Sequence, residues 1–153
     1  MPGPWRSSPA EPVSGEFESP EFLEVEDVLA LHAEALRRFG GRPGVRDKGL
    51  LHSAVAQARV SLGGEWLHPD MFSMAAAYAF HIAENQVFID GNKRAALGAA
   101  LMFLDLNGIE LDDPEERLFD AMIAISARQL DKPGLARLLR DLAADTARGG
   151  GSA

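Results

Sequence analysis

The stretch that decides the fold is residues 85–94, which read NQVFIDGNKR. Asp90-Gly91 is a turn dipeptide, because glycine adopts a positive φ at little cost. A long run with apolar residues at helical spacing begins directly after it, and Asn92 is a good candidate for the N-cap of that helix. The stretch therefore predicts a turn that leads into the first turn of a helix.

The start of this helix carries groups that suit a nucleotide polyphosphate. Backbone N–H groups at a helix N-terminus favour an anion, and Lys93 and Arg94 add two positive charges there. Asp90 offers a carboxylate oxygen of the kind that Mg²⁺ prefers. Taken alone, however, the same residues also fit an ordinary helix start with solvated charges, so the flanking sequence has to decide.

The flanks of this stretch are helical throughout. Before it, a first helix ends at Gly40-Gly41, Asp47 caps a second helix, and Asp70 caps a third. The third helix is apolar on nearly every face, so we expect it to be central and buried. The residues of the first helix that share one largely apolar face are Val25, Val28, Leu29, His32, Leu36 and Phe39.

After the stretch, the fourth helix runs from about residue 92 to Asn107 and stops at Gly108. Small residues along it allow close packing against a neighbouring helix. Pro114 marks the start of a fifth helix and Pro133 opens a sixth. The pattern predicts an all-α fold, a compact orthogonal bundle of about six helices.

Composition bounds the domain organisation and the function. The 153 residues form one domain over 21–146, between a disordered N-terminal tail (1–20) and a flexible C-terminal tail (147–153). A net charge of -8 argues against a general nucleic-acid binder, and the absence of cysteine excludes disulfides, thiol nucleophiles and cysteine-based zinc sites. We see neither a secretory signal nor a run long enough to span a membrane, so we expect a cytoplasmic protein without membrane contacts.

The motif and its flanks resemble the Fic/Doc (Fido) family, and most closely its Doc-like (death-on-curing) toxin branch. That family carries His-x-Phe-x-Asp/Glu-Gly-Asn-Gly/Lys-Arg between two central helices. The matching residues in this chain are Phe88, Asp90, Gly91, Asn92, Lys93 and Arg94. Further matches lie outside the motif at 31–32, 38–41, 44–47, 49–51, 63–65 and 69, and the resemblance covers roughly residues 22–146. Lys93 in place of glycine points to the Doc-like branch.

The resemblance implies a role for each matched residue. Phe88 would anchor the loop in the core, and Asp90 would hold Mg²⁺. Gly91 and Asn92, with the backbone amides beside them, would cradle the phosphates of a nucleoside triphosphate, with ATP as the nucleotide that the resemblance implies. Lys93 and Arg94 would bind the phosphates and neutralise charge in the transition state.

The resemblance also implies a reaction and two protein partners. The reaction would transfer a phosphoryl or nucleotidyl (AMP) group to a protein hydroxyl. The target in the Doc branch is a translation elongation factor. Such toxins commonly pair with a small antitoxin, whose tail covers the active-site groove.

The chain departs from the family at the leading histidine, because position 86 is Gln86 and the next residue is Val87. In the family that histidine removes a proton from the target hydroxyl. A neutral amide can form a hydrogen bond to a hydroxyl but cannot accept its proton. Loss of a general base typically costs about 10²–10⁴ in rate. His81 lies five residues earlier, on the preceding helix, and does not simply replace it.

Three functions therefore stay open at this point. The chain is an active toxin with Gln86 in the base position, a pseudoenzyme that still binds a nucleotide or a partner, or a helical interaction module with an accidental motif. Among the other residues, we expect His32 to be a packing residue and His52 and His68 to lie on the surface. Residues 63–66 form either a plain loop or the family's target-recognition flap.

Overall fold

The computed structural model describes residues 19–113 and 115–151. Within these residues the chain forms six α-helices and one small hairpin. The helices are α1 (Val25–Phe39), α2 (Lys48–Ala56), α3 (Met71–Asn85), α4 (Asn92–Leu106), α5 (Arg117–Ser126) and α6 (Lys132–Gly151). The strands β1 (Ser61–Leu62) and β2 (Glu65–Trp66) pair antiparallel, and a short 3-10 turn, Gln57–Arg59, follows α2. The all-α fold predicted from the sequence is confirmed.

Helix α3 lies at the centre of the fold, as its apolar sequence predicts. The six consecutive residues 74–79 are all buried, and so are Ile82 and Ala83 one turn further on. Helices α2, α4, α5 and α6 all pack against it. Alanines at 95, 96, 99 and 100 of α4 are buried as well, and their small side chains let α3 and α4 approach closely.

Two of the predicted helix caps are confirmed by their hydrogen bonds. The Asp47 carboxylate accepts from the N–H of Leu50 at 3.0 Å, and the Asp70 carboxylate accepts from the N–H of Ser73 at 2.8 Å. Gly40 ends α1 with a φ of 80°. Each cap satisfies backbone groups that the helix itself leaves without a partner.

Two predicted helix boundaries need correction. The N-cap of α4 is Gly91 and not Asn92, which is the first residue inside the helix. Helix α5 begins at Arg117 and not at Pro114, a residue outside the described part of the chain. It begins late because the Asp113 carboxylate accepts from the N–H groups of Arg117 (2.9 Å) and Leu118 (2.7 Å), which fixes the first turn there.

Four further details differ from the sequence expectation. Two residues assigned to the buried face of α1, Leu29 and Phe39, are 38% and 54% exposed. His68 is buried and not on the surface, because it packs against α6. Residues 61–66 form the β1–β2 hairpin. Helix α6 reaches Gly151, past residue 147 where the sequence places a tail, although the glycines at 149–151 are poor helix formers.

The predicted tails fall largely outside the described residues. Residues 1–18 and 152–153 are not among them. Over the described range, no helix combines the length and the apolar character that a membrane crossing requires.

Candidate functional site

The candidate site is built on the loop between α3 and α4, residues 86–91. Gln86 ends α3 in the left-handed conformation, with φ 49° and ψ 59°. Its backbone N–H donates to the carbonyl of Ile82 at 3.1 Å. The Arg46 guanidinium donates to the carbonyls of Gln86 and Asn85, each at 2.6 Å. A positive charge is favourable at a helix C-terminus, so Arg46 fixes the backbone at the position where the family carries its base.

A single antiparallel bridge continues this restraint along the loop. Val45 pairs with Phe88, the N–H of Arg46 donates to the carbonyl of Val87 at 2.8 Å, and the N–H of Ile89 donates to that of Gly44 at 3.0 Å. The segment before α2 therefore serves as a strand-like support for the loop. Local periodicity carries no signal for such a bridge, which explains why the sequence did not reveal it.

Phe88 holds the middle of the loop in the core. It is 1% exposed and stacks on the ring of His32, with the ring centroids 3.7 Å apart and the planes within 4° of parallel. Nε2 of His32 lies 2.7 Å from the carbonyl oxygen of Asp90. A carbonyl only accepts, so Nε2 carries the proton and donates. His32 is thus a hydrogen-bonded packing residue of α1, as predicted.

Asn92 closes the loop upon itself. Its Oδ1 accepts from the N–H of Phe88 at 2.9 Å, and its Nδ2 donates to the Phe88 carbonyl at 2.9 Å. Both halves of the amide are therefore engaged by one buried residue. The side chain of Asn92 shapes the loop, and the part of residue 92 left to face a phosphate is its backbone N–H.

Asp90 stands at the tip of the loop with an exposed carboxylate. Oδ2 accepts from the N–H of Arg42 at 3.1 Å and Oδ1 from that of Gly91 at 3.0 Å. These two hydrogen bonds, that of Arg42 foremost, hold the pKa of the Asp90 carboxyl below its usual value. The group is ionised at neutral pH and keeps lone pairs for a further ligand, so it fits the oxygen ligand set of Mg²⁺.

The structure offers Mg²⁺ few other protein ligands here. No cluster of three or more histidine or acidic side chains suited to a metal occurs in the described part of the chain. An ion at Asp90 would therefore complete its shell with water and phosphate oxygens, which is how Mg²⁺ is usually held beside a nucleotide.

The first turn of α4 presents donors and positive charge. The carbonyl of Gly91 accepts from the N–H of Ala95 at 3.0 Å, and the N–H groups of residues 92–94 precede the first intrahelical bonds. Lys93 has no hydrogen bond or ion pair with any described residue. The guanidinium of Arg94 also has no such partner in the described ranges, but it lies over the rings of Phe39 and Phe119. The arrangement can bind an anion by backbone, ammonium and guanidinium together.

His81 is engaged elsewhere. Its Nε2 lies 2.9 Å from Nζ of Lys132, which also lies 3.2 Å from Nε2 of His68. Burial, followed by the positive charge of Lys132, lowers the pKa of His81 to about 4. Because Nε2 of His81 is engaged by Lys132 at the start of α6, His81 does not serve as a substitute base for the loop.

The structure thus brings the sequence-predicted residues 86 to 94 into one loop and one helix start. It adds four residues that sequence reasoning did not assign to the site: Arg46, Arg42, Phe39 and Phe119. Arg46 and Phe39 lie in segments that match the family, but their contacts with the loop depend on the tertiary fold.

The fold and this loop define a member of the Fic/DOC family, whose sequence model matches residues 22–104. The chain belongs to this family. It is 39% identical over 126 residues to Toxin Doc of Mycolicibacterium smegmatis, an alignment that covers 81% of this chain and 95% of that protein. It is 32% identical over 120 residues to Protein kinase doc of Escherichia phage P1, with 78% of this chain and 94% of that protein covered. The resemblance to the Doc-like branch is confirmed.

Proposed function

We propose that this protein is a Doc-like toxin whose α4 N-terminus binds a magnesium–nucleoside triphosphate, with ATP as the expected nucleotide. The observation that carries the proposal is the loop 86–91 with its helix start, where Asp90, Lys93 and Arg94 stand within five residues of each other. The backbone around them is held by hydrogen bonds, so the site is preorganised for a phosphate chain.

The group transferred is a phosphoryl group, and the acceptor is a hydroxyl of a protein such as a translation elongation factor. The relative from phage P1 is named a protein kinase, which supports phosphoryl transfer over AMP transfer. Lys93 and Arg94 would neutralise the charge that develops on the phosphoryl oxygens, and Asp90 would hold the metal. The relative named Toxin Doc supports the toxin role, and a small antitoxin is the expected partner.

Gln86 makes this transfer slow. Its backbone is fixed at the end of α3, but its side chain can only donate or accept a hydrogen bond. A hydroxyl next to it would be positioned without being deprotonated. We expect a rate about 10²–10⁴-fold below that of a form with a base in this position.

A pseudoenzyme is the second candidate, and the position of His81 favours it. His81 is the nearest histidine in sequence, but it is bonded to Lys132 at the start of α6. In this case the protein binds the nucleotide, or a partner, without turnover.

A paired transfer assay tests the proposal. The unmodified chain and the Gln86→His variant are incubated with γ-labelled ATP, Mg²⁺ and purified elongation factors, and α-labelled ATP is run in parallel. Gln86→Asn is the matched control, because it changes the same side chain without adding a base. We expect γ-label on the target, strongly with Gln86→His and weakly or not at all with the other two forms.

Calorimetry with Mg-ATP separates the two candidates from a domain that does not bind nucleotide. Arg94→Ala should weaken binding in either case. Weak transfer by the unmodified chain that rises strongly in Gln86→His supports an impaired toxin, whereas transfer by Gln86→His alone supports the pseudoenzyme. Robust transfer by the unmodified chain contradicts both. If no form binds Mg-ATP and no form labels a target, the nucleotide proposal is wrong.

A further inference from the structure

The guanidinium of Arg94 is held by aromatic rings in place of carboxylates. Its Cζ lies 3.6 Å from the ring centroid of Phe39 and 4.6 Å from that of Phe119. Phe39 is the last residue of α1 and Phe119 lies in the first turn of α5. Three helices that are distant in sequence thus meet at one side chain of the candidate site.

Three other arginines of the chain are held by carboxylates, whereas Arg38 also lies over the Phe39 ring, at the longer distance of 5.4 Å. Arg37, Arg140 and Arg148 each form an ion pair with a carboxylate. Such a pair fixes a guanidinium but uses its N–H donors and neutralises its charge. Arg94 has no ion pair with any residue of the described ranges, so its charge and its donors remain available.

Cation–π contact restrains a guanidinium through its face. The planar group stacks on the ring, and the N–H bonds lie in the plane of the guanidinium, where they stay open to an anion. The exposure of Phe39 is consistent with such a role, since a ring that is 54% exposed contributes less to the core than a buried one. Its contact with Arg94 gives this exposed aromatic residue a place in the site.

We propose that Phe39 and Phe119 are positioning residues, which hold the guanidinium of Arg94 toward the phosphates of the bound nucleotide. The inference rests on the proposed function of the α4 N-terminus as a nucleotide site. It makes the site a composite of α1, α4 and α5. It also predicts that lysine cannot replace arginine at position 94, because an ammonium has no planar face to stack.

The test measures Mg-ATP affinity of the full chain by calorimetry for Phe39→Leu, Phe119→Leu and Phe39→Tyr. We expect Kd to rise about 3- to 10-fold for each leucine variant, the range that an exposed to partly buried cation–π contact provides. Phe39→Tyr keeps the aromatic face, so its Kd should stay close to that of the unmodified chain. Arg94→Lys should behave more like Arg94→Ala than like the unmodified chain.

The matched control is Phe72→Leu. Phe72 lies 5.5 Å from the guanidinium of Arg140, in the first turn of α3, so the substitution removes a similar contact away from the site. It should leave Kd unchanged. Thermal melts of all variants report on folding separately, and if Phe119→Leu does not fold, Phe39→Leu decides alone.

A double-mutant cycle shows whether Phe39 acts through Arg94. Phe39→Leu should have no further effect on Kd in the Arg94→Ala background. Equal weakening in both backgrounds, or no weakening at all while Arg94→Ala does weaken binding, would overturn the positioning role and leave the nucleotide site intact. Unchanged binding in Arg94→Ala itself would instead overturn the proposed function.

Discussion

Replacing Asn92 with alanine should both destabilise the fold and weaken nucleotide binding. The Asn92 amide pairs with the N–H and the C=O of Phe88, both at 2.9 Å, and so closes the loop between α3 and α4. Alanine lacks the amide, so the N–H and the C=O of Phe88 both lose their partner. The loop would then lose the restraint that sets Asp90 relative to the first turn of α4.

The size of the effect follows from these two hydrogen bonds. Each contributes about 1 kcal/mol net, and a buried backbone group left unpaired costs more. Because Phe88 is 1% exposed, water does not reach its surroundings easily, and we expect a total loss of about 2–3 kcal/mol. For a domain of this size each kcal/mol lowers Tm by about 2–4 °C, which gives a fall of about 4–12 °C.

Asn107 provides a matched control within the same chain. Its amide pairs with the N–H of Glu21 at 2.8 Å and the C=O of Glu21 at 3.0 Å, which is the same pairing at the other end of α4, and its Nδ2 also donates to the carbonyl of Phe103 at 2.8 Å. Asn107→Ala should therefore lower Tm as well. It should leave the Kd for Mg-ATP unchanged, whereas Asn92→Ala should raise it.

Scanning calorimetry and isothermal titration of the two variants check this reasoning. An unchanged Tm in Asn92→Ala would show that the two hydrogen bonds contribute no net stability. A lowered Tm with unchanged Mg-ATP affinity would show that the loop does not need this closure to bind a nucleotide. An equal loss of affinity in Asn107→Ala would attribute the effect to general destabilisation.

Three further predictions concern the site and its surroundings. Gly91→Ala and Gly108→Ala should lower Tm by similar amounts, because both residues have φ near 80° and a Cβ at residue 91 would meet the nearest side chains only at an ordinary contact distance of 3.4 Å; thermal melts of the pair check this, and a clearly larger fall for one of them would contradict it. Stability should fall as pH is lowered from about 6.5 toward 4, because His81 binds a proton at its usual pKa of 6.5 in the unfolded chain but only at a pKa of about 4 in the folded protein. His81→Gln should therefore show a smaller fall in Tm over this pH range. An equal fall in both forms would contradict this prediction. Arg46→Met should lower Tm by a few degrees, since two hydrogen bonds to the carbonyls at the end of α3 are lost. Urea unfolding should show a lower midpoint with an unchanged m-value, and a changed m-value would point to another cause.

The helices could be predicted because their signals are local. Asp47 and Asp70 as caps, Gly40 as a terminator and the all-round apolar face of α3 each act within one or two turns. The predicted start of α5 was wrong because its signal is a hydrogen-bonding pattern and not a residue type. The sequence prediction placed the boundary at a proline. In the structure the boundary is set by two backbone N–H groups that donate to the Asp113 carboxylate.

The site could be predicted only in part. Sequence placed Asp90, Lys93 and Arg94 at one helix start, which periodicity and turn chemistry support. It could not place the ring of Phe39 over Arg94, since that contact joins α1 to α4. The prediction that Asn92 caps α4 was also wrong, because the choice between capping a helix and closing a loop depends on where the backbone of Phe88 lies.

The conformation of the loop is held by the backbone of residue 86 and not by its side chain, so a different side chain there can change the chemistry without changing the loop. Among the described residues, the hydrogen bonds that hold residue 86 all involve its backbone: its N–H donates to Ile82 and its carbonyl accepts from Arg46. The left-handed conformation there is open to histidine as well as to glutamine, with histidine among the residues that adopt it more readily. A change of side chain at this position can therefore remove the base without disturbing Asp90 or the first turn of α4. By the same reasoning Gln86→His should fold with an unchanged Tm, so that any transfer it gains reports on chemistry and not on a repaired fold.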